Sequence, residues 1–126
     1  MLPSAKFKKH SVHASQRIAT LFLELLERQF PIDDNHQSVH FRSASDFAKQ
    51  LNVHVNHLNM AVKDITEKTT SQLVVERILQ EEKILLKHSS WNVSEIAYAL
   101  GFTEVTHFNV FFKKHVQLSP LKLRNV

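Results

Sequence analysis

Histidines 54 and 57, and again 10 and 13, stand three residues apart, a spacing at which one helix face can present two imidazoles to a metal ion. The chain has nine histidines but no cysteine, no HExxH pattern and no carboxylate at a matching offset, so neither a metal site nor a cofactor is expected. Surface histidine, or histidine facing a polyanionic partner, is the simpler account. Catalysis finds no better footing. A single glycine leaves no glycine-rich phosphate loop, and no nucleophile, base and orienting group fall into a recognisable pattern. No catalytic residue is assigned, and the chain is expected not to be an enzyme. The residue whose type is itself a signal is that glycine, Gly101 in SEIAYALGFTEVTHFNVFFKKH. Glycine serves where the backbone must take a positive φ, and a chain that otherwise does without it needs that geometry here.

The elements that place Gly101 come from a chain of 126 residues, enough for one domain or two small lobes and for a core without disulfide or metal staples. No apolar run approaches the roughly 20 residues of a membrane span, and the N-terminus lacks a signal peptide's apolar stretch. A soluble, cytoplasmic protein with no membrane partner is expected. A formal charge of +4 and a pI near 9.5 suit a polyanionic partner without demanding one.

Residues 1–14 are polar and basic without a period, and read as a tail or truncated interdomain linker. From Ser15, the residues Ile18, Leu21, Phe22, Leu25, Leu26 and Phe30 follow helical spacing until Pro31 stops the pattern. IDDNHQSVHF reads as a loop. SASDFAKQLN predicts a short helix capped by Ser43 or Ser45, and VHVNHLNMAVKDIT a second. A long helix over about 71–88 carries Leu73, Val74, Arg77, Ile78, Glu81, Ile84 and Leu85 on one stripe. Ser94 is expected to cap SEIAYAL, a further helix begins near Val105, and Pro120 opens a last turn. No strand pattern is present. The fold class is all-α, with about seven helices.

Two stretches repeat. DFAKQLNVHVNHLNMAVKD from Asp46 and EIAYALGFTEVTHFNVFFKK from Glu95 align at an offset of 49, where Asn52-Val53 matches Gly101-Phe102. They align at 50 further on, where His57-Leu58-Asn59 matches His107-Phe108-Asn109 and Val62-Lys63 matches Phe112-Lys113. Such self-similarity marks a duplicated structural unit. The unit is helix, tight turn, helix. Ala48 and Ala97 let the two helices approach, and the turn pivots on a left-handed residue, Gly101 in one copy and Asn52 in the other. Phe102, Phe108, Phe111 and Phe112 fill one small core, and Val53, Leu58, Ala61 and Val62 the other. Two such corners joined by a helix of roughly 25 Å, at 1.5 Å per residue, suit successive major grooves roughly 34 Å apart on a duplex.

The second copy with its tail, SEIAYALGFTEVTHFNVFFKKHVQLSPLKLR, resembles the second helix-turn-helix of the AraC/XylS family of bacterial transcription regulators. The matching positions are Ile96-Ala97, Gly101-Phe102, Phe108, Phe112-Lys113-Lys114, Ser119-Pro120 and Arg124. With the upstream copy and Arg77, the likeness covers about residues 43–124, and its phrasing is similar to Bacteroidetes members. It implies an AraC-type DNA-binding domain over 15–126. The first helix-turn-helix would span about 43–67, the linking helix about 71–88 and the second helix-turn-helix about 93–116. It implies sequence-specific binding of double-stranded operator or promoter DNA in regulating transcription, with RNA polymerase as a candidate protein partner. Family members usually carry an effector-binding and dimerising domain as well, which this chain is expected to lack.

Three features depart from the family pattern. Glu67 and Gln117 stand where glycine usually follows each second helix, which predicts looser or differently terminated helix ends. Met60 and Val110 stand where an arginine commonly faces DNA, and the expected want of an effector domain suggests an excised C-terminal domain, with a short stand-alone regulator as the alternative. The resemblance places base reading on Asn56, His57, Asn59 and Met60 in the first copy, and on Val105, Thr106, Asn109 and Val110 in the second. Asparagine pairs bidentately with adenine and arginine with guanine, so half-sites richer in A·T are expected, with Met60, Val105 and Val110 against thymine methyls. Phosphate contacts are expected from Ser43, Ser45 and Ser94 at helix N-termini, and from Lys63, Lys113, Lys114 and Thr69 or Thr70. Arg77, in the linking helix, is expected to brace the two lobes through Glu76 or Asp64. The rival reading is a helical protein-interaction module that keeps the fold without binding DNA. It predicts little salt dependence and no preferred duplex.

Overall fold

The computed structural model describes residues 2–33 and 39–126, with side chains from residue 13 onward. Among these residues there are seven helices and no strand: α1 (Leu2–Glu27), α2 (Ala44–Leu51), α3 (Val55–Thr66), α4 (Thr70–His88), α5 (Val93–Ala99), α6 (Val105–Val116) and α7 (Pro120–Asn125). Helix α1 starts at Leu2, although its apolar period starts only near Ser15. Residues 4–14 lack a stripe to bury but also lack any helix breaker, and Pro3 falls in the first turn, where proline is tolerated. The expected loop at 32–41 falls partly on residues 34–38, which lie outside the described residues.

The chain divides into two compact units, Met1–Arg28 with Phe41–Val74, and Gln29–His40 with Val75–Val126. In the first, α1 packs on α2 and α3 through Ala19, Phe22 and Leu26 against Phe47, Ala48, Leu58, Ala61 and Val62, all buried. Phe22 and Phe47 meet edge to face at 4.9 Å between ring centroids, and Phe41 lies 5.7 Å from Phe47. A fully buried leucine or phenylalanine contributes roughly 1.5–3 kcal/mol by the area it removes from water, so this cluster is what holds α3 in place.

In the second unit α5 packs on α6 and α6 on α7. Ile96, Ala97, Leu100, Phe102, Phe108, Phe112 and Pro120 are buried, and the Phe102 ring lies 5.3 Å from Phe108 and 5.2 Å from Phe111. The segment before α2 is fastened here by polar bonds. The backbone N–H of Ile32 donates to Glu81 Oε2 (2.8 Å), that of His40 to Gln29 Oε1 (2.9 Å) and that of Val39 to the Ala99 carbonyl (2.9 Å). Arg77 engages Glu81, one turn on in its own helix and not a partner expected for it: Nη1 lies 3.1 Å from Glu81 Oε1, and the guanidinium sits 4.0 Å over the Phe30 ring. Arg124, at the end of the chain, caps the C-terminus of α4. Its Nε donates to the Leu86 carbonyl at 2.9 Å, and Nη2 to those of Leu85 and Ser89 at 3.4 and 3.5 Å. A cation there satisfies carbonyls that the helix end leaves open and suits the negative end of the helix dipole.

Candidate nucleic-acid interface

Each copy of the repeat forms the same corner, bond for bond. Asn52 takes φ 57°, ψ 43° and Gly101 φ 90°, so both pivots are left-handed. At Asn52 the N–H donates to the Lys49 carbonyl and the next N–H, of Val53, to that of Ala48. Gly101 and Phe102 repeat this on Tyr98 and Ala97, all at 3.0–3.1 Å. Glu67 and Gln117 also correspond. Both are left-handed (φ 63° and 70°), and their N–H groups donate to the Lys63 and Lys113 carbonyls at 2.9 Å. The loosening expected for want of glycine does not occur. A left-handed residue with a side chain costs about 1 kcal/mol, and the helix-capping bond forms nonetheless.

Correspondence extends to the helix starts, and there one expectation is corrected. The N-cap of α5 is Asn92 rather than Ser94. Its Oδ1 accepts from Glu95 N–H and the Glu95 carboxylate accepts from Asn92 N–H, both at 2.8 Å. Ser94 lies inside α5, half-buried. Helix α2 is built alike: Ser43 Oγ accepts from Asp46 N–H, while Asp46 Oδ2 accepts from the N–H groups of Ser43 and Arg42, each at 3.1 Å. The Ser43 and Arg42 backbone bonds hold the Asp46 carboxyl below its ordinary value. Ser43 and Asn92 are 49 residues apart, so the repeat offset itself pointed to Asn92. Both helix starts already hold a carboxylate, which competes with phosphate for these amides.

The second helices turn their cores inward on Leu58, Ala61 and Val62 in α3, and on Phe108 and Phe112 in α6. Asn56, His57, Asn59, Met60 and Lys63 are exposed on α3, as are Thr106, Asn109, Val110, Lys113 and Lys114 on α6. Val105 is half-buried at the start of its helix. Met60 and Val110, equivalent positions, are each 64% exposed.

The edges of the two faces differ. Helix α3 is capped by His54, whose Nδ1 accepts from Asn56 N–H at 3.1 Å, a cap the composition did not signal. The equivalent residue at α6 is Glu104, which makes no side-chain cap and instead lies 3.5 Å from His107 Nε2. Beside the α3 face, Asn59, Met60, Lys63 and Asp64 line a groove of about 480 Å³ closed by Thr69, Thr70 and Ser71 at the start of α4. Lys63 Nζ donates to the Glu67 carbonyl at 3.0 Å. Thr69 is exposed and makes a reciprocal cap with Gln72, Oγ1 accepting at 3.0 Å and Gln72 Oε1 at 2.8 Å. Thr70 is only 1% exposed, so its hydroxyl, which has no hydrogen-bond partner, is shut away from the phosphate contact considered for it. Among the described residues, no three His, Asp or Glu side chains gather to hold a metal, and no helix is long and apolar enough to cross a membrane.

A helix-turn-helix domain family matches residues 47–125. The chain is 26% identical over 124 residues to the HTH-type transcriptional activator RhaS of Escherichia coli, across 98% of this chain and 41% of that activator's length. Among solved structures, it is similar to the C-terminal domain of the two-component response regulator yesN from Fusobacterium nucleatum. There the TM-score is 0.70 at 22% identity, covering 83% of this chain and 95% of that one. It is also similar to a transcriptional regulator of the AraC-type DNA-binding class from Chromobacterium violaceum, with TM-score 0.66, 23% identity and coverage of 90% and 94%.

Proposed function

The chain belongs to the AraC/XylS family of helix-turn-helix proteins, and from that premise we propose that it binds double-stranded DNA sequence-specifically through α3 and α6 in regulating transcription. The observation that carries this reading is the pairing of the two exposed faces. Two corners with left-handed pivots and matching helix ends each present a helix whose exposed face carries an asparagine, a histidine, an apolar residue and a lysine at equivalent places, Asn59, His57, Met60 and Lys63 in one and Asn109, His107, Val110 and Lys113 in the other. The base readers are Asn56, His57, Asn59 and Met60 on α3, with Thr106, Asn109, Val110 and the partly covered Val105 on α6. Asparagine in place of arginine favours adenine over guanine, and the exposed Met60 and Val110 suit thymine methyls, so the half-sites lean to A·T.

Phosphates are held by Lys63, Lys113, Lys114, Thr69 and the hydroxyls at the start of α2, Ser43 and Ser45. Ser94 contributes through its position in the first turn of α5 rather than as its cap. Each phosphate neutralised adds close to one unit to the slope of log affinity against log salt. A cytoplasmic location and contact with RNA polymerase are part of the same proposal. The chain spans 41% of the activator it matches, and the operator, effector and sign of regulation are properties of a whole regulator.

The test is selection from a random duplex pool with this chain, then titration of the winning duplex at several salt concentrations. Two enriched A·T-leaning blocks with a steep salt slope support the reading. One block alone means that one corner reads while the other braces. Weak, salt-insensitive binding with no enriched block removes DNA binding and favours the protein-interaction module.

A further inference from the structure

The repeat carries further than the presence of two readers. At an offset of 50, the outward positions of α3 and α6 pair as His54 with Glu104, Asn56 with Thr106, His57 with His107, Asn59 with Asn109, Met60 with Val110 and Lys63 with Lys113. Equivalence here is geometric as well as textual. The pivots before the helices, the carbonyls they bond, and the left-handed residues ending them all coincide. Every pair is exposed on both sides, His54 and Glu104 at the N-cap positions included, although only His54 makes a side-chain cap bond. A side chain at a given place in one corner therefore stands to its own helix as its partner does in the other.

Resting on the DNA-binding reading above, we infer that the two half-sites are variants of one sequence: they share the bases met by Asn59 and Asn109, and by His57 and His107, and differ where Glu104, Thr106 and Val110 replace His54, Asn56 and Met60. The chemistry follows from the side chains. Asn59 and Asn109 each offer one acceptor and one donor pair, the complement of adenine N6 and N7. The lysines meet backbone and carry no sequence information. Thr106 replaces an amide by a hydroxyl, which loses bidentate selectivity, so the second half-site is more permissive at that position. Glu104 adds negative charge at the edge of the second reader. It repels phosphate and accepts from cytosine N4 in a way that His54, committed to its cap bond, does not. The first half-site is therefore the stricter and the tighter.

The decisive variant makes the second reader a copy of the first: Glu104→His, Thr106→Asn and Val110→Met together. All three positions are exposed and outside the core, and a matching thermal unfolding curve checks the fold. Selection from a random duplex pool is run on the wild type and the triple variant. The expected wild-type result is two blocks with common central bases and different flanks. The triple variant is expected to select two blocks of the same sequence and to bind with a higher affinity at fixed salt. Asn59→Ala and Asn109→Ala should each relax selection at the common adenine, roughly 5- to 150-fold, in one block only. Unrelated wild-type blocks, or a second block unmoved by the triple change, would overturn the inference while leaving DNA binding intact. Loss of salt-dependent binding to every duplex by the wild type removes both.

Discussion

Replacing Arg77 by methionine tests whether the second unit depends on one buried ion pair. Glu81 is 1% exposed, and its two oxygens are spoken for, one by Arg77 at 3.1 Å and the other by the Ile32 N–H at 2.8 Å. The guanidinium, 13% exposed, also covers the Phe30 ring at 4.0 Å. Methionine keeps the apolar stem but leaves a carboxylate buried with one hydrogen bond. Removing one partner of a buried pair costs about 3–5 kcal/mol. The bond from Ile32 persists, so the lower end applies, about 3 kcal/mol, against a total of roughly 5–15 kcal/mol for a domain. Glu81→Gln keeps an oxygen for Ile32 N–H and should cost about 2 kcal/mol. The double variant removes both charges and should cost well under the sum, with a coupling of about 1–3 kcal/mol. Urea unfolding followed by fluorescence of Trp91, the single tryptophan and a half-buried residue of this unit, reads the effect. A loss below about 1 kcal/mol for Arg77→Met, or additive single effects, would refute the clamp.

Further predictions come from other observed contacts. Thr70→Val removes a buried hydroxyl that has no partner and should stabilise by about 1 kcal/mol, read as a raised urea midpoint at unchanged m. Glu67→Gly and Gln117→Gly relieve left-handed residues. Each should stabilise by about 0.5 kcal/mol, the strain of about 1 kcal/mol less the added freedom of the unfolded chain. Asp46→Asn should destabilise at neutral pH by about 0.5 kcal/mol, discounted for solvent screening. The folded carboxyl is depressed below its ordinary 3.8, so its contribution is present above that value and disappears as pH falls through the lower folded value. Wild type and variant should therefore converge in acid and stay apart at pH 7. Lys63→Ala and Lys113→Ala should each lower the salt slope of DNA binding by about one unit without shifting the selected bases, whereas Arg77→Lys should leave that slope unchanged.

The repeat made the corners legible because it compares the chain with itself. A left-handed pivot was readable at Gly101 from residue type, and at Asn52 only because it stood 49 residues earlier. The same offset joins Ser43 to Asn92, yet Ser94 looks the better cap when read alone, since serine before SEIAYAL fits the local preference. The reciprocal bond of Glu95 to Asn92 overrides it, as a capping box needs its carboxylate three residues on. At the following helix starts, Thr69 and Ser119 stand 50 apart, and so do the buried Thr70 and Pro120. Thr70 thus fills an apolar place, and its hydroxyl is an accident of residue type rather than a ligand. What the pattern did not hold was chemistry between distant segments. Nothing in PIDD or in the α4 stripe pairs Ile32 with Glu81 across 49 residues, nor assigns Arg124 to the end of α4. Arginine there looks like one more cation for DNA until its hydrogen bonds are seen. Arg77 and Arg124 differ in burial from the lysines of the second helices. Arginines 77 and 124 are half-buried and spent on carboxylate and carbonyl oxygens, while the exposed lysines of α3 and α6 lie beside the faces that the repeat duplicates. The net charge of +4 is the same for either use, so the basic balance of the sequence became an argument about DNA only once the two arginines were subtracted from it.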